Sequence, residues 1–478
     1  MLLSLEEEWM TQKIGIYDTD TARNLNLETL TSRFARLNVK NIYVKKLASN
    51  DNSKNQAYFG SHLTDLPFIP TGEIVASETT SSKTTARKGH KRKIKYQASL
   101  KLSWLDAEGH TYPTPNSKLI YYPQYPEVRF SGFLKGSSVN ISRWMDPKQE
   151  GRAEGRWLVL AVGEDETIYA YLATPESLLS RELENTEFFE ASSVFGELSS
   201  CKSGFISTRG ALITKLLEIH EMGWIPGQKL SSLGIKEPYT ALNAGGYTLE
   251  AELGVAPNGR AEPDYLGWEV KQFGVKGFPA TGTKPTTLMT PEPNGGFYVE
   301  HGAEEFVKRY GYPDKSGKPD RLNFGGKHLV DQTCKTTNLK LRLIGFHSAN
   351  LSIVDAMGVI ALIDENDVIA ASWSFAKLMD HWKRKHAQAV YVPCMSQPST
   401  RGGKEYYYGK DIELGMGTNF EMILAAMAAG HAYYDPGIKL ENATTAKQRI
   451  KKRSQFRVNH KRLNNLYKKY EFIDIATT

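Results

Sequence analysis

Only three cysteines, Cys201, Cys334 and Cys394, occur in 478 residues, and their spacing matches no metal-ligand pattern. Three is an odd number, so the simplest expectation is three free thiols in a reducing cytosol and not a disulfide framework. No run of eighteen apolar residues is present, so no membrane span is expected. The start, Met1-Leu2-Leu3-Ser4-Leu5 and then three glutamates, has neither the basic flank nor the apolar stretch of a secretory signal. The histidines show no H-x3-H spacing, which disfavours a zinc centre. A GxxxxGK[ST] phosphate loop and a G-x-S-x-G elbow are absent, so nucleotide hydrolysis and acyl transfer lack their usual machinery. No internal repeat of useful length is seen.

What is present is an ordinary soluble composition with a basic bias. Hydrophobic residues make up 40% and charged residues 24%, enough for two or three cored domains. The net charge of +7 fits a polyanionic partner. Two clusters carry much of it. Lys83, Arg87, Lys88, Lys91, Arg92, Lys93 and Lys95 fall together, and Lys447 to Lys469 holds ten Lys or Arg and no acidic residue. Such blocks serve equally as solvated surface or as phosphate contacts.

The stretch with most chemistry in it is Pro263-Asp264-Tyr265-Leu266-Gly267-Trp268-Glu269-Val270-Lys271. Strand alternation puts Glu269 and Lys271 on one face. Two converging carboxylates can hold a hard cation such as Mg²⁺, and a lysine beside them can orient a water and offset charge on a phosphate. The same alternation also fits an exposed strand with no chemistry at all. Upstream, Gly245-Gly246-Tyr247-Thr248-Leu249-Glu250 leads into Glu252-Leu253-Gly254-Val255. The block from Gly245 to Phe273 resembles the MvaI/BcnI family of restriction endonucleases, which is related to the MutH repair nickases. That resemblance implies that Asp264 and Glu269 are metal ligands, aided by the Val270 carbonyl. It makes Lys271 the catalytic lysine, and Glu250, fourteen residues before Asp264, a supporting carboxylate. The cofactor implied is Mg²⁺, with Mn²⁺ able to substitute.

Along the chain, residues 1–37 read as a short helical segment anchored by Leu25, Leu27, Leu30 and Phe34. Residues 38–175 read as many short strands, among them 41–47, 98–104, 157–162 and 168–172, which suggests a barrel-like sheet. The run Lys40-Asn41-Ile42-Tyr43-Val44-Lys45-Lys46-Leu47-Ala48-Ser49-Asn50 and the step Val139-Asn140-Ile141-Ser142-Arg143-Trp144 resemble EcoRII-type effector domains, DNA-binding pseudobarrels related to the plant B-three domains. By that resemblance Lys46, Asn50, Arg129, Lys135 and Arg143 lie on DNA-gripping arms. Val139-Asn140 replaces the basic pair of that family, so no target carries over. Residues 176–205 are Glu- and Ser-rich and read as a helical linker or boundary.

Residues 206–478 read as an α/β core, with helices at 210–220 and 375–386, strands at 359–363, 368–372 and 389–393, and a further helix near 420–430. The closing Arg453-Ser454-Gln455-Phe456-Arg457-Val458 resembles the end of the MvaI/BcnI pattern, where a Phe-Arg step carries a base-reading arginine. Arg457 is the first candidate, with Asp435, Lys439 and Arg453 behind it. The fold expected is therefore an N-terminal β-rich pseudobarrel joined to an α/β core of the PD-(D/E)XK type, an order similar to UbaLAI-type fusions. The function expected is Mg²⁺-dependent, sequence-specific cutting of double-stranded DNA by a monomer. A second, effector copy of DNA and a companion methyltransferase are the implied partners, and no membrane is. A strand-nicking repair enzyme of the MutH kind and a non-catalytic DNA-binding regulator remain open alternatives.

Overall fold

A computed structural model describes residues 15–49, 56–78, 94–198, 208–257, 263–400 and 402–477. It divides into two compact units, Met1–Val75 with Lys95–Phe205, and Ala76–Ile94 with Ile206–Thr478. Most of the basic cluster at 83–95, along with Asn50 and Cys201, lies outside the described residues.

The first unit is β-rich, as its alternating apolar runs require. Two short helices, Asp20–Asn24 and Leu27–Ala35, are capped by Thr19 and Asn26 side chains, and Leu25, Leu30 and Phe34 are buried. A seven-stranded sheet runs in the order Phe189–Glu190, Gly196–Leu198, Val39–Lys46, Trp157–Gly163, Ile168–Ala173, Leu102–Leu105, Thr111–Pro113. A second sheet carries Ala57–Gly60, Glu127–Ser131, Lys118–Tyr122 and Ile94–Ser99 in that order. Two sheets replace the single barrel-like sheet that the strand pattern suggested, and the described strands do not close into a hydrogen-bonded ring.

Two segments behave differently from their composition. The stretch at 98–104 is broken at Leu100-Lys101 into two strands that go to different sheets. In the Glu- and Ser-rich stretch, Leu178–Glu184 is a helix, as its composition suggests, capped by Ser177; the departure is Gly196–Leu198, a strand that pairs with Ile42–Val44. Leu179 and Leu183 are fully buried, one turn apart on that helix.

The second unit is built around the long strand Gln388–Pro398. It pairs in parallel with Glu269–Gly274 and antiparallel with Lys404–Tyr408 and Asp411–Met416, the last of which pairs with Lys469–Asp474. Helices Thr208–Glu221 and Ala244–Glu252 pack on one face through Leu212, Leu216, Ile219, Leu249 and Leu253 against Val270, Val390, Val392 and Leu414. Side chains of alternate parity, including Glu269, Lys271 and Tyr391, leave the other face, where helix Phe375–His386 packs. The sequence periods place Thr208–Glu221 and Phe375–His386 within two residues of their ends. Beyond this core lie the strands Thr286–Met289, Phe456–Val458 and Ala432–Tyr434, joined in one small sheet.

Candidate active site

Three local features bring the acidic residues together. First, Gly245 lets helix Ala244–Glu252 sit close on the sheet. A Cβ there would come within 3.0 Å of the Tyr406 ring and 3.3 Å of the Gln272 amide, and Tyr408 OH donates to the Gly245 carbonyl at 2.7 Å. That seating delivers Glu250. Second, Tyr265 and Trp268 exchange both backbone hydrogen bonds across Leu266-Gly267. Leu266 (φ 48°) and Gly267 (φ 85°) are both left-handed, the pattern of a tight type I′ turn. This turn folds Asp264 back over the strand start, where its Oδ2 accepts the Val270 N–H at 2.9 Å. Third, Glu269–Gly274 pairs on one side only among the described residues, with Gln388–Pro398. Its free edge, Val270 through Gly274, lines an open cleft of about 650 Å³.

Glu250, Asp264, Lys271 and Lys385 also line that cleft. Glu269 is buried, and its Oε1 accepts from Lys271 Nζ at 2.7 Å, so alternation does put the two on one face. Glu269 Oε2 has no hydrogen-bond partner; Lys385 Nζ stands 3.7 Å from it. A buried carboxylate oxygen without a partner is costly unless something charged or protic meets it.

The charges respond accordingly. Burial, and then the charges of Asp264 and Glu269, push the Glu250 carboxyl up to about 7. Burial and Glu269 push Asp264 to about 6. Burial also opposes ionisation of Glu269, but Lys271 and its cationic neighbours outweigh it and hold that carboxyl below its ordinary value. Lys271 is desolvated too, yet the carboxylates around it, Glu269 foremost, raise its pKa. His381 and His386 are pushed down by burial, to about 4 and about 3, so both are neutral near pH 7. His386 Nε2 lies 2.7 Å from the Leu288 carbonyl, which fixes its helix to the strand Thr286–Met289. The site thus holds acids that repel one another and two lysines that do not fully offset them.

Among the described residues no three His, Cys, Asp or Glu side chains converge as a metal cluster. A cation here would rest on Asp264, Glu269 and a backbone carbonyl such as that of Val270. This donor set is all hard oxygen, and the unpartnered Glu269 Oε2 is one vacant donor within it. Such a set fits Mg²⁺, which completes its shell with water.

Lys385 was not apparent from the sequence. It sits at the end of an amphipathic helix far along the chain, and only tertiary packing brings it to Glu269. The amphipathic pattern of that helix was visible, but nothing in it marked this lysine among Lys383, Arg384 and Lys385.

The residues expected to read DNA are placed unequally. Arg457 is on the strand Phe456–Val458; its Nη1 donates to Asp435 Oδ2 and its Nη2 to the Pro285 carbonyl, each at 2.8 Å. Pro285 lines the cleft, so the Arg457–Asp435 pair is tied to a residue of its lining. Lys439 is exposed, and Arg453 lies alongside Gly437, whose N–H bonds to its carbonyl. In the other unit, Lys46 pairs with Glu184 at 2.5 Å, Arg129 with Glu127 at 2.6 Å and Arg143 with Asp18 at 3.1 Å. Arg129 is largely covered, whereas Lys135 is exposed.

Cys334 and Cys394 are both free and buried, as expected of thiols without partners. No helix of the described residues is long and apolar enough to cross a membrane.

Comparison with known proteins bears on the second unit. Restriction endonuclease MvaI bound to cognate DNA substrate is 15% identical over 56% of this chain and 99% of its own, with a TM-score of 0.42. MvaI in the absence of DNA is 15% identical over 57% of this chain and 100% of its own, with a TM-score of 0.31. No curated protein matches. Residues 213–467 match the model of the MvaI/BcnI restriction endonuclease family. That span is more than half of the chain and holds Glu250, Asp264, Glu269 and Lys271; the chain belongs to the MvaI/BcnI restriction endonuclease family, and is with it a type II site-specific DNA endonuclease.

Proposed function

We propose that this endonuclease hydrolyses double-stranded DNA with Mg²⁺ at the cleft along Glu269–Gly274. The observation that carries this reading is the convergence on one strand edge of Asp264, Lys271 and Glu250 with a buried Glu269 whose Oε2 has no partner. A divalent cation at Asp264, Glu269 and the Val270 carbonyl would supply the positive charge that the acids lack and that a scissile phosphate needs. Lys271, kept protonated by the carboxylates around it, orients the attacking water and offsets charge on the phosphate. The Glu250 carboxylate takes up the water's proton, and solvent protonates the departing 3′ oxygen. The water oxygen forms a bond to phosphorus in line with the departing 3′ oxygen. The P–O3′ bond breaks, leaving a 3′-hydroxyl and a 5′-phosphate. Glu250 braces the site from the helix behind Asp264.

In this reading Arg457, with Asp435 beside it, contributes to base recognition, and Lys439 and Arg453 contact phosphates. The β-rich unit is a second DNA-binding module of the EcoRII effector type, with Lys135 and Arg143 on its DNA-facing arms and Lys46 beside them. The enzyme acts as a monomer, and a methyltransferase of matching specificity protects its host.

The test is incubation of the purified protein with unmethylated plasmid and phage DNA in Mg²⁺, beside Lys271→Ala. Discrete fragments from the wild type alone are expected, with DNA binding by the variant largely kept. Full activity in Lys271→Ala overturns the site. Persistent nicking of a one-site plasmid without linear product would mark a MutH-like nickase instead. Tight binding with no cutting would mark a regulator.

A further inference from the structure

The catalytic cleft has a second rim. The hairpin formed by Gln228–Leu230 and Lys236–Pro238 stands next to the helix that carries Glu250. Its base is anchored: the Gln228 N–H donates to Thr248 Oγ1 at 3.0 Å, and Lys236 Nζ pairs at 2.5 Å with the buried carboxylate of Glu252, which Gln228 Nε2 also contacts. Burying Glu252 against two hairpin side chains makes the hairpin a rigid extension of the Glu250 helix.

The tip is the reverse of its base. Ser231, Ser232, Leu233 and Gly234 form the turn, closed by Gly234 N–H to Ser231 O and Ser231 N–H to Ile235 O. Leu233 is 83% exposed and Ile235 60%, and Leu242, next to the cleft residue Asn243, is fully exposed. Single exposed leucines are ordinary surface. Leu233 and Ile235 at the tip of an anchored hairpin beside a nuclease cleft, with Leu242 four residues beyond the hairpin's end, call for an occupant. Between tip and cleft lies a hollow of about 390 Å³ lined by Lys229, Ser231, Tyr239, Tyr247 and Pro257. Tyr247 and Pro257 line the main cleft as well, so the two spaces adjoin. Lys229 sits 5.7 Å over the Tyr239 ring, which in turn meets Tyr247 edge-on.

We infer that the hairpin is an apolar wedge for duplex DNA: Leu233, backed by Ile235, enters a groove beside the scissile phosphate and unstacks a base step there. The occupant is DNA because the hollow adjoins the DNA-cutting cleft; the flanking Lys229 and Lys236 are balanced by Glu237 and Glu252, so the tip meets the duplex through its apolar side chains. Apolar wedges of this size pay for unstacking by admitting a bent duplex that touches more protein. A kink would also bring the phosphate toward Lys271, and make some base steps easier to cut than others without contacting them.

This inference rests on the proposed cutting of duplex DNA at this cleft. Once the wild type has yielded discrete fragments, a duplex carrying the mapped site is made with 2-aminopurine placed in turn at each position near the cut. The full-length Lys271→Ala protein is the binding probe, with and without Leu233→Ala. A rise in fluorescence at one step, lost with Leu233→Ala, is expected. In the otherwise wild-type enzyme, Leu233→Ala should lower kcat/KM by about tenfold or more while the change in Tm stays small, because the side chain packs on nothing. Unchanged fluorescence and unchanged kcat/KM would overturn the wedge while leaving the nuclease reading intact. So would normal cleavage accompanied by loss of self-association in sedimentation, which would make the hairpin a contact between copies. Absence of cutting by the wild type is a separate failure, that of the reading beneath it.

Discussion

At the scale of single residues, the site is a set of groups held against their electrostatic preference. Glu250 and Asp264 bind protons more tightly in the folded protein than in the unfolded chain, because burial and neighbouring acids raise them to about 7 and about 6. The folded state therefore binds more protons across that window, and stability falls as pH rises from the ordinary carboxylate range through about 7. In metal-free buffer, Glu250→Gln should raise Tm near pH ~8, and the difference should vanish near pH ~4, where both states of the wild type are protonated. Thermal melts of the two proteins at both pH values check this; an equal gain at both would locate the effect in packing. Added Mg²⁺ should raise the wild-type Tm at the higher pH, and less so in Asp264→Asn, where one anionic donor is gone. Lys385 is the other residue-scale test. It faces the Glu269 oxygen that nothing else satisfies. Lys385→Ala should cut kcat on the order of a hundredfold with little change in KM, measured by single-turnover cleavage, and Lys385→Arg should restore part of it.

At the scale of elements, the catalytic strand owes its shape to five residues of turn chemistry. Leu266 is held at φ 48°, a conformation that costs a leucine about 1 kcal/mol or more. Its side chain is half exposed, so little burial compensates. Asparagine tolerates that region far better. Leu266→Asn should therefore stabilise the protein by about 1 kcal/mol, read as a higher urea midpoint with the slope unchanged. A loss of stability would mean that Leu266 is making contacts that offset its strain. This turn also explains why so much of the site was legible. Asp264, Glu269 and Lys271 are joined by a tight turn and strand alternation, both local, so their order in the sequence is nearly their order in space. The helix Thr208–Glu221 and the stretch 389–393, the first half of the strand Gln388–Pro398, are visible for the same reason, a single period sustained over several residues. What the sequence hid was set by packing at long range. Lys385 reaches Glu269 from a distant helix, Gly196–Leu198 joins a strand near the other end of its unit, and residues 94–105 are split between two sheets. None of these follows from period or composition, because each is decided by which partner edge is free.

At the scale of the whole molecule, the question is how one catalytic cluster deals with two DNA strands. The described residues of the second unit hold a single set of Glu250, Asp264, Glu269 and Lys271, with its own core from Leu212 to Ile475. A monomer so equipped must cut one strand, release or turn on the duplex, and cut the other. Supercoiled plasmid with one site should then pass through an open-circular intermediate whose rise and decay are independent of enzyme dilution, while an obligate dimer would lose both steps together on dilution. Under the proposed effector role, the β-rich unit is the part that keeps the enzyme near its DNA between cuts. A fragment of residues 206–478 retains the catalytic core and the family-matching span. It should still nick, but release more open-circular intermediate before linear product appears, and lose affinity for DNA with a shallower salt dependence because fewer phosphates are neutralised. Time courses and binding at two salt concentrations measure both effects. If the fragment matches the full chain in each, the β-rich unit neither holds DNA nor assists the second cut, and the assignment of an effector role to it fails while the catalytic cluster stands.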